Sequence, residues 1–147
     1  MDVLVTAYRD AGINGLFHGG ATYVLYGPLN PSMSGVLSWQ DSTSPHDAVI
    51  LGVEDRGQSG STLAPAGDVD GDGLIDILIG SQFLDSGPLL DAGVMGLFTE
   101  TPAGEIPFNQ ATAIIWGGAA QDNFARSAAG VGDLNDDGHS EFVIGSK

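Results

Sequence analysis

Nine residues of this 147-residue chain hold four aspartates: Asp68, Asp70, Asp72 and Asp76 take positions 1, 3, 5 and 9 of a loop, with Gly71 and Gly73 between them. Alternate carboxylates on a tightly curled backbone converge on one point. Oxygen-only donors in this number suit a hard cation, and Ca²⁺ accepts their flexible six-to-eight coordination more readily than Mg²⁺ does. The carbonyl of Leu74, at position 7, is the natural backbone ligand. A second loop repeats the arrangement with Asp133, Asn135, Asp137 and Glu141, and puts the carbonyl of His139 at position 7. Two Ca²⁺ sites are therefore expected. Asp-Gly pairs also form ordinary turns, but four crowded carboxylates repel one another unless a cation neutralises them, and the pattern occurs twice in register.

An EF-hand shares positions 1, 3, 5, 7 and 9 of such a loop. It also needs a bidentate Glu at position 12 and a helix on each side. Position 12 is Ile79 in the first loop and Ile144 in the second, each inside a strand-like run. Both requirements fail.

The elements that carry the loops repeat with them. The segment Gly67–Ser81 recurs as Gly132–Ser146, 65 residues on and without a gap, and the same offset lays Ala48–Gly52 onto Ala113–Gly117. Upstream, Gly20–Tyr26 matches Ala92–Phe98 at an offset of 72, and Asp2–Ala7 matches Asp76–Ser81 at 74. The drift places length changes in loops. Each unit holds four short apolar, β-branched runs separated by Gly, Pro, Asn and Asp clusters, which is the pattern of strands and turns. In the second unit these are 76–80, 92–98, 113–117 and 126–132, with a fifth run at 142–146, and no stretch keeps a 3.6-residue period. Four strands per repeat suit a propeller blade. The expected fold is all-β: about two four-stranded blades of a partial propeller, with units at about 2–75 and 76–140 and the start of a third at 141–147. Propellers close with four to eight blades, so further blades are expected from a longer parent chain or from other copies.

Composition narrows the function. With 42% hydrophobic residues the chain can build a core, yet no apolar run approaches the roughly 20 residues that span a bilayer. A formal charge of -15 disfavours nucleic acid and anionic membrane surfaces. The 23 glycines, about twice the usual share, point to many turns. There is no cysteine, hence no disulfide and no thiolate. No nucleophile elbow, Walker loop or zinc-protease motif is present, and His18, His46 and His139 are scattered, so no enzyme is expected. Trp39, in the polar run Ser38–Asp41, could stack on a sugar, whereas Trp116 aligns with Leu51 and reads as core.

At the two acidic loops the sequence resembles the FG-GAP repeats of the integrin alpha-subunit propeller and its bacterial relatives. Both loops match Gly-Asp-x-[Asp/Asn]-x-Asp-Gly-x-x-[Asp/Glu] followed by an apolar strand. The match departs at the Phe-Gly pair, present only as Phe124-Ala125 and Ser59-Gly60, and at Gly-Ala-Pro, reduced to Gly80-Ser81-Gln82 and Gly145-Ser146-Lys147. The resemblance implies a propeller outside the cell or at its surface, with Ca²⁺ in the hairpin loop between two strands of a blade, held by the loop residues named above. Two functions follow as expectations. One is a calcium-binding extracellular segment acting in adhesion, scaffolding or protein interaction; the other is an ancillary carbohydrate-binding propeller of a secreted enzyme.

Overall fold

The computed structural model describes residues 2–11, 15–27 and 46–147. Trp39 lies outside them. Within the described residues, short apolar runs broken by glycine become ten strands: β1 Val3–Ala7, β2 Ala21–Leu25, β3 Ala48–Leu51, β4 Thr62–Gly67, β5 Asp76–Ser81, β6 Val94–Phe98, β7 Gly104–Pro107, β8 Ala113–Trp116, β9 Ser127–Gly132 and β10 Glu141–Gly145. Among the described residues the only helix is one 3-10 turn, Phe108–Gln110. The described residues are all-β, as the repeated short apolar runs predict.

The strands form three sheets, ordered β1-β2-β3-β7, β4-β5-β6-β8 and β9-β10. All neighbours are antiparallel except β3 and β7, which are parallel. The sheets stack face to face. Ile50 of β3 joins Ile79, Val94 and Phe98 of the second sheet in one apolar cluster, with Phe98 and Phe108 edge to face at 6.1 Å. On the other face of the second sheet, Ala64, Leu78, Met95 and Leu97 form a second cluster, against which Ala128, Phe142 and Ile144 of the third sheet pack. Strand β6 thus sends alternate residues into two cores. This is why its sequence reads as an unbroken apolar run and why it is buried throughout.

Sheets and sequence repeats are out of phase. Strand β9, grouped by the repeat with 76–117, pairs with β10 in the next sheet, because the acidic loops close the tight hairpins β4–β5 and β9–β10. The second sheet therefore runs from Thr62 to Trp116. Register corrects one alignment as well. Val3 faces Leu25 where Ile77 faces Phe98, so β2 corresponds to β6 at an offset of 73 residues, not 72. The anchor is glycine. Gly20 and Gly93 both have positive φ and place their Cα atoms against the backbones of Ser59 and Phe124, and a one-residue slip would turn every side chain of the strand to the other face.

Two further expectations change. Strand β7, Gly-Glu-Ile-Pro, has no strand signature; it arises where the β6–β8 connection reaches across to the first sheet and lies along β3. Trp116 is exposed, although its counterpart Leu51 is buried. Leu51 lies opposite Pro107 of β7, whereas β8 is the outermost strand of its sheet.

A Cβ on Gly93 would lie 2.4 Å from the Phe124 carbonyl oxygen, while one on Gly104, also at positive φ, would meet nothing within 4 Å. Gly104→Ala should cost only the left-handed strain of about 1–2 kcal/mol. Gly93→Ala should cost clearly more. Urea denaturation midpoints compare the two, and equal midpoints would show that the inter-strand contact at Gly93 is soft.

Candidate metal centres

Each acidic loop follows β4 or β9 at a register shift in its hairpin, between Pro65 and Gly67 in the first and between Glu141 and Phe142 in the second. Gly67 and Gly132 occupy the bend with positive φ. Inside the first loop the carboxylates hydrogen-bond to the backbone. Asp68 accepts the amides of Gly71 and Gly73 at 2.7 and 2.9 Å, Asp70 accepts that of Asp72 at 3.2 Å, and Asp72 accepts that of Leu74 at 2.7 Å. The second loop copies this: Asp133 accepts the amides of Asp137 and Gly138, Asn135 that of Asp137, and Asp137 that of His139. Where the first loop uses Gly71 at φ 81°, the second uses Asp136 at φ 61°, a left-handed position that Asp tolerates.

The curled backbone brings three carboxylates together in each loop. Oxygens of Asp68, Asp70 and Asp76 lie within 4.8 Å of one another, as do those of Asp133, Asp137 and Glu141. Either group could hold a metal ion. Asp72 lies outside the first group, its Oδ1 turned to the Leu74 amide. Asn135 lies beside the second, its side-chain amide 3.0 Å from Asp137 and 3.4 Å from Glu141. Leu74 and His139 stand at the tips of their loops with exposed side chains.

Asp76 is the telling residue. It is 1% exposed, and its Oδ2 accepts the Val69 amide at 2.6 Å, but its Oδ1 is buried without a hydrogen-bond partner. A buried carboxylate oxygen left unpaired is costly. Asp76 is also one of the three clustered carboxylates, and a cation would satisfy such an oxygen, so the donor set fits a bound metal. Burial pushes the Asp76 carboxyl above the ordinary carboxylate range; the Val69 hydrogen bond opposes this, and the charges of Asp70, Asp72 and Asp68 add to it. Asp133 at the head of the exposed loop goes the other way, held low by the amides of Gly138 and its neighbours.

The two loops touch, which the ligand pattern does not foretell. The Ser140 amide donates to the Asp68 carbonyl at 2.6 Å, and Ser140 Oγ accepts the Asp68 amide at 3.2 Å. His139 Nδ1 lies 3.0 Å from the Val69 carbonyl, and its ring covers Gly71, where a Cβ would stand 2.9 Å from Cε1. The only sequence signal for the clasp is glycine: Gly67 and Gly71 are where the second loop comes closest.

No family model matches the chain. Integrin alpha-5 of Xenopus laevis is 32% identical over 106 residues, which is 71% of this chain and 10% of that protein. The chain thus spans about a tenth of the length of the curated relative it matches.

Asp76 gives a pH test. Its raised pKa in the folded chain means that, without metal, ionised Asp76 opposes folding above that pKa, and proton uptake relieves the cost as pH falls toward its ordinary value of 3.8. Asp76→Asn keeps an oxygen for the Val69 amide and removes the charge. In chelator at pH 7 it should melt higher than the parent chain, by about 2–4 °C for each kcal/mol relieved, and the advantage should shrink on acidification. A variant that melts lower in chelator at every pH would show that the carboxylate is not strained.

Proposed function

We propose that this chain is a calcium-binding β-propeller segment of the FG-GAP, integrin-alpha type, built of tandem units at about 2–75 and 76–140 with a third opening at 141–147. It acts outside the cell or at its surface as an adhesion, scaffold or protein-interaction module and carries out no catalysis. The observation that carries the reading is the buried, unpaired oxygen of Asp76 inside a carboxylate cluster whose loop recurs 65 residues later. The similarity to integrin alpha-5 supports the same reading.

Asp68, Asp70, Asp72 and Asp76 with the Leu74 carbonyl would hold one Ca²⁺, and Asp133, Asn135, Asp137 and Glu141 with the His139 carbonyl the other. The ions would supply positive charge, not reactivity. Oxygen-only donors and loop flexibility favour Ca²⁺ over Mg²⁺ and over softer metals. The protein contributes the hairpins that aim the oxygens and the sheet that keeps Asp76 dry. Recognition would then belong to the surfaces that these stiffened loops hold in place.

An ion that binds only the folded chain stabilises it by about 2.7 kcal/mol per site at a hundredfold excess over Kd. Melting temperature should fall in EGTA and recover on adding Ca²⁺, and titration calorimetry should count two ions per chain. Asp70→Ala should leave one. A melting curve indifferent to EGTA, or two ions still bound by the Asp70 variant, would overturn the assignment.

A further inference from the structure

Each acidic loop supplies one side of a contact between the two hairpins, and on both sides the contact is made by ligand residues or their immediate neighbours. Asp68, at position 1 of the first loop, keeps its carboxylate for the amides of Gly71 and Gly73. Its backbone is given to Ser140: the Asp68 carbonyl accepts the Ser140 amide at 2.6 Å, and the Asp68 amide donates to Ser140 Oγ at 3.2 Å. Ser140 stands between His139 and Glu141, positions 7 and 9 of the second loop. His139 Nδ1 adds a contact of 3.0 Å to the Val69 carbonyl. The fit is close. A Cβ on Gly67 would lie 2.5 Å from both Cβ and Oγ of Ser140, and one on Gly71 would lie 2.9 Å from Cε1 of His139.

Around this clasp the loops are wet. Asp68 and Ser140 are half-buried, whereas residues 70–75 and 131–139 are exposed. Hydrogen bonds between two such loops stabilise little on their own, because closing them costs the conformational entropy of both backbones. The loops also carry charge of one sign, Asp68, Asp70, Asp72 and Asp76 on one and Asp133, Asp136, Asp137 and Glu141 on the other, which opposes their approach. A cation held by either loop changes both effects. It fixes the backbone that forms half of the clasp, and it offsets part of the charge that resists closure.

We propose, on the calcium reading above, that the clasp couples the two metal centres: Ca²⁺ in either loop raises the affinity of the other, and Ser140 is the positioning residue that carries the effect. The two-state element is the clasp itself, open or closed, and both ions favour the closed form. The gain is entropic, since loop order imposed by the first ion is already present for the second. A direct electrostatic effect runs the other way, because the first ion weakens the negative potential that attracts the second. That field is screened over about 8 Å at physiological salt, whereas hydrogen bonds between adjoining residues are not. The clasp therefore sets the sign of the coupling at ordinary ionic strength.

Calorimetric titration of the full chain with CaCl₂ at about 0.15 M salt tests this. Asp137→Ala leaves the first centre alone, and Asp70→Ala leaves the second. Each remaining centre should bind Ca²⁺ about fivefold or more weakly than the same centre in the parent chain with its neighbour filled, and linkage requires the two factors to be equal. Ser140→Ala keeps every ligand oxygen and should still bind two ions, but the factor should fall toward one. Hydrogen exchange gives a second readout: in the Asp137→Ala chain, Ca²⁺ should slow exchange of the Ser140 amide, which belongs to the disabled loop. A serine that merely supported its hairpin would, when replaced, weaken binding and leave the factor unchanged. Equal affinities with and without a filled neighbour, a factor untouched by Ser140→Ala, or one that disappears at high salt would overturn the coupling. Two ions bound independently reject only this inference, and no bound ion rejects the calcium assignment.

Discussion

The second sheet and its acidic loop are joined at a carboxylate that the fold removes from water. Asp76 opens β5, the strand whose Leu78 and Ile79 enter the two main cores, and it closes the acidic loop by accepting the Val69 amide. Sheet and loop cannot be moved apart without exposing one or deforming the other. The strain is local: the second hairpin keeps the same bond, from the Leu134 amide to Glu141 at 2.6 Å, but Glu141 is only partly buried. The longer glutamate side chain makes the reach from a more solvated place. The two loops therefore share a ligand pattern and differ in how much each depends on neutralisation.

Packing between sheets is as exacting as the loops. Positive-φ residues recur at Arg56 and Gln58 and again at Gln121 and Asn123, 65 residues on, within turns that bond back to the preceding strand connection. Gly52 and Gly117 leave no room for a Cβ against the carbonyls of Gly19 and Ala92. This close approach of backbones is what the high glycine content serves, and it lets flat apolar faces meet at contact distance.

Much of this was legible in the residues. Short apolar runs, glycine punctuation and the repeat located β1 to β3, β5, β6 and β8 to β10 within a few residues, and position 12 of the loops excluded the EF-hand. What was illegible had non-local causes. Gly104–Pro107 becomes a strand only because β3 offers an edge, and Trp116 is exposed only because β8 carries no such cover. Asp72 fits the ligand pattern, yet its Oδ1 accepts the Leu74 amide, a bond that spacing cannot show. The offset of 72 becomes 73 because the positive-φ turns at Gly20 and Gly93 set the register of β2 and β6.

The crossing of β7 into the first sheet also sets an order of events. Strand β3 ends at Leu51, but the strand that completes its outer edge begins at Gly104, after β4, β5 and β6. As the chain leaves the ribosome, the first sheet stays unfinished until most of the second has emerged. Non-local parallel pairing of this kind forms late, since the intervening loop must close first. The neighbouring sheets are therefore stitched into one cooperative unit. A cut between them would sever a fold, not separate two modules.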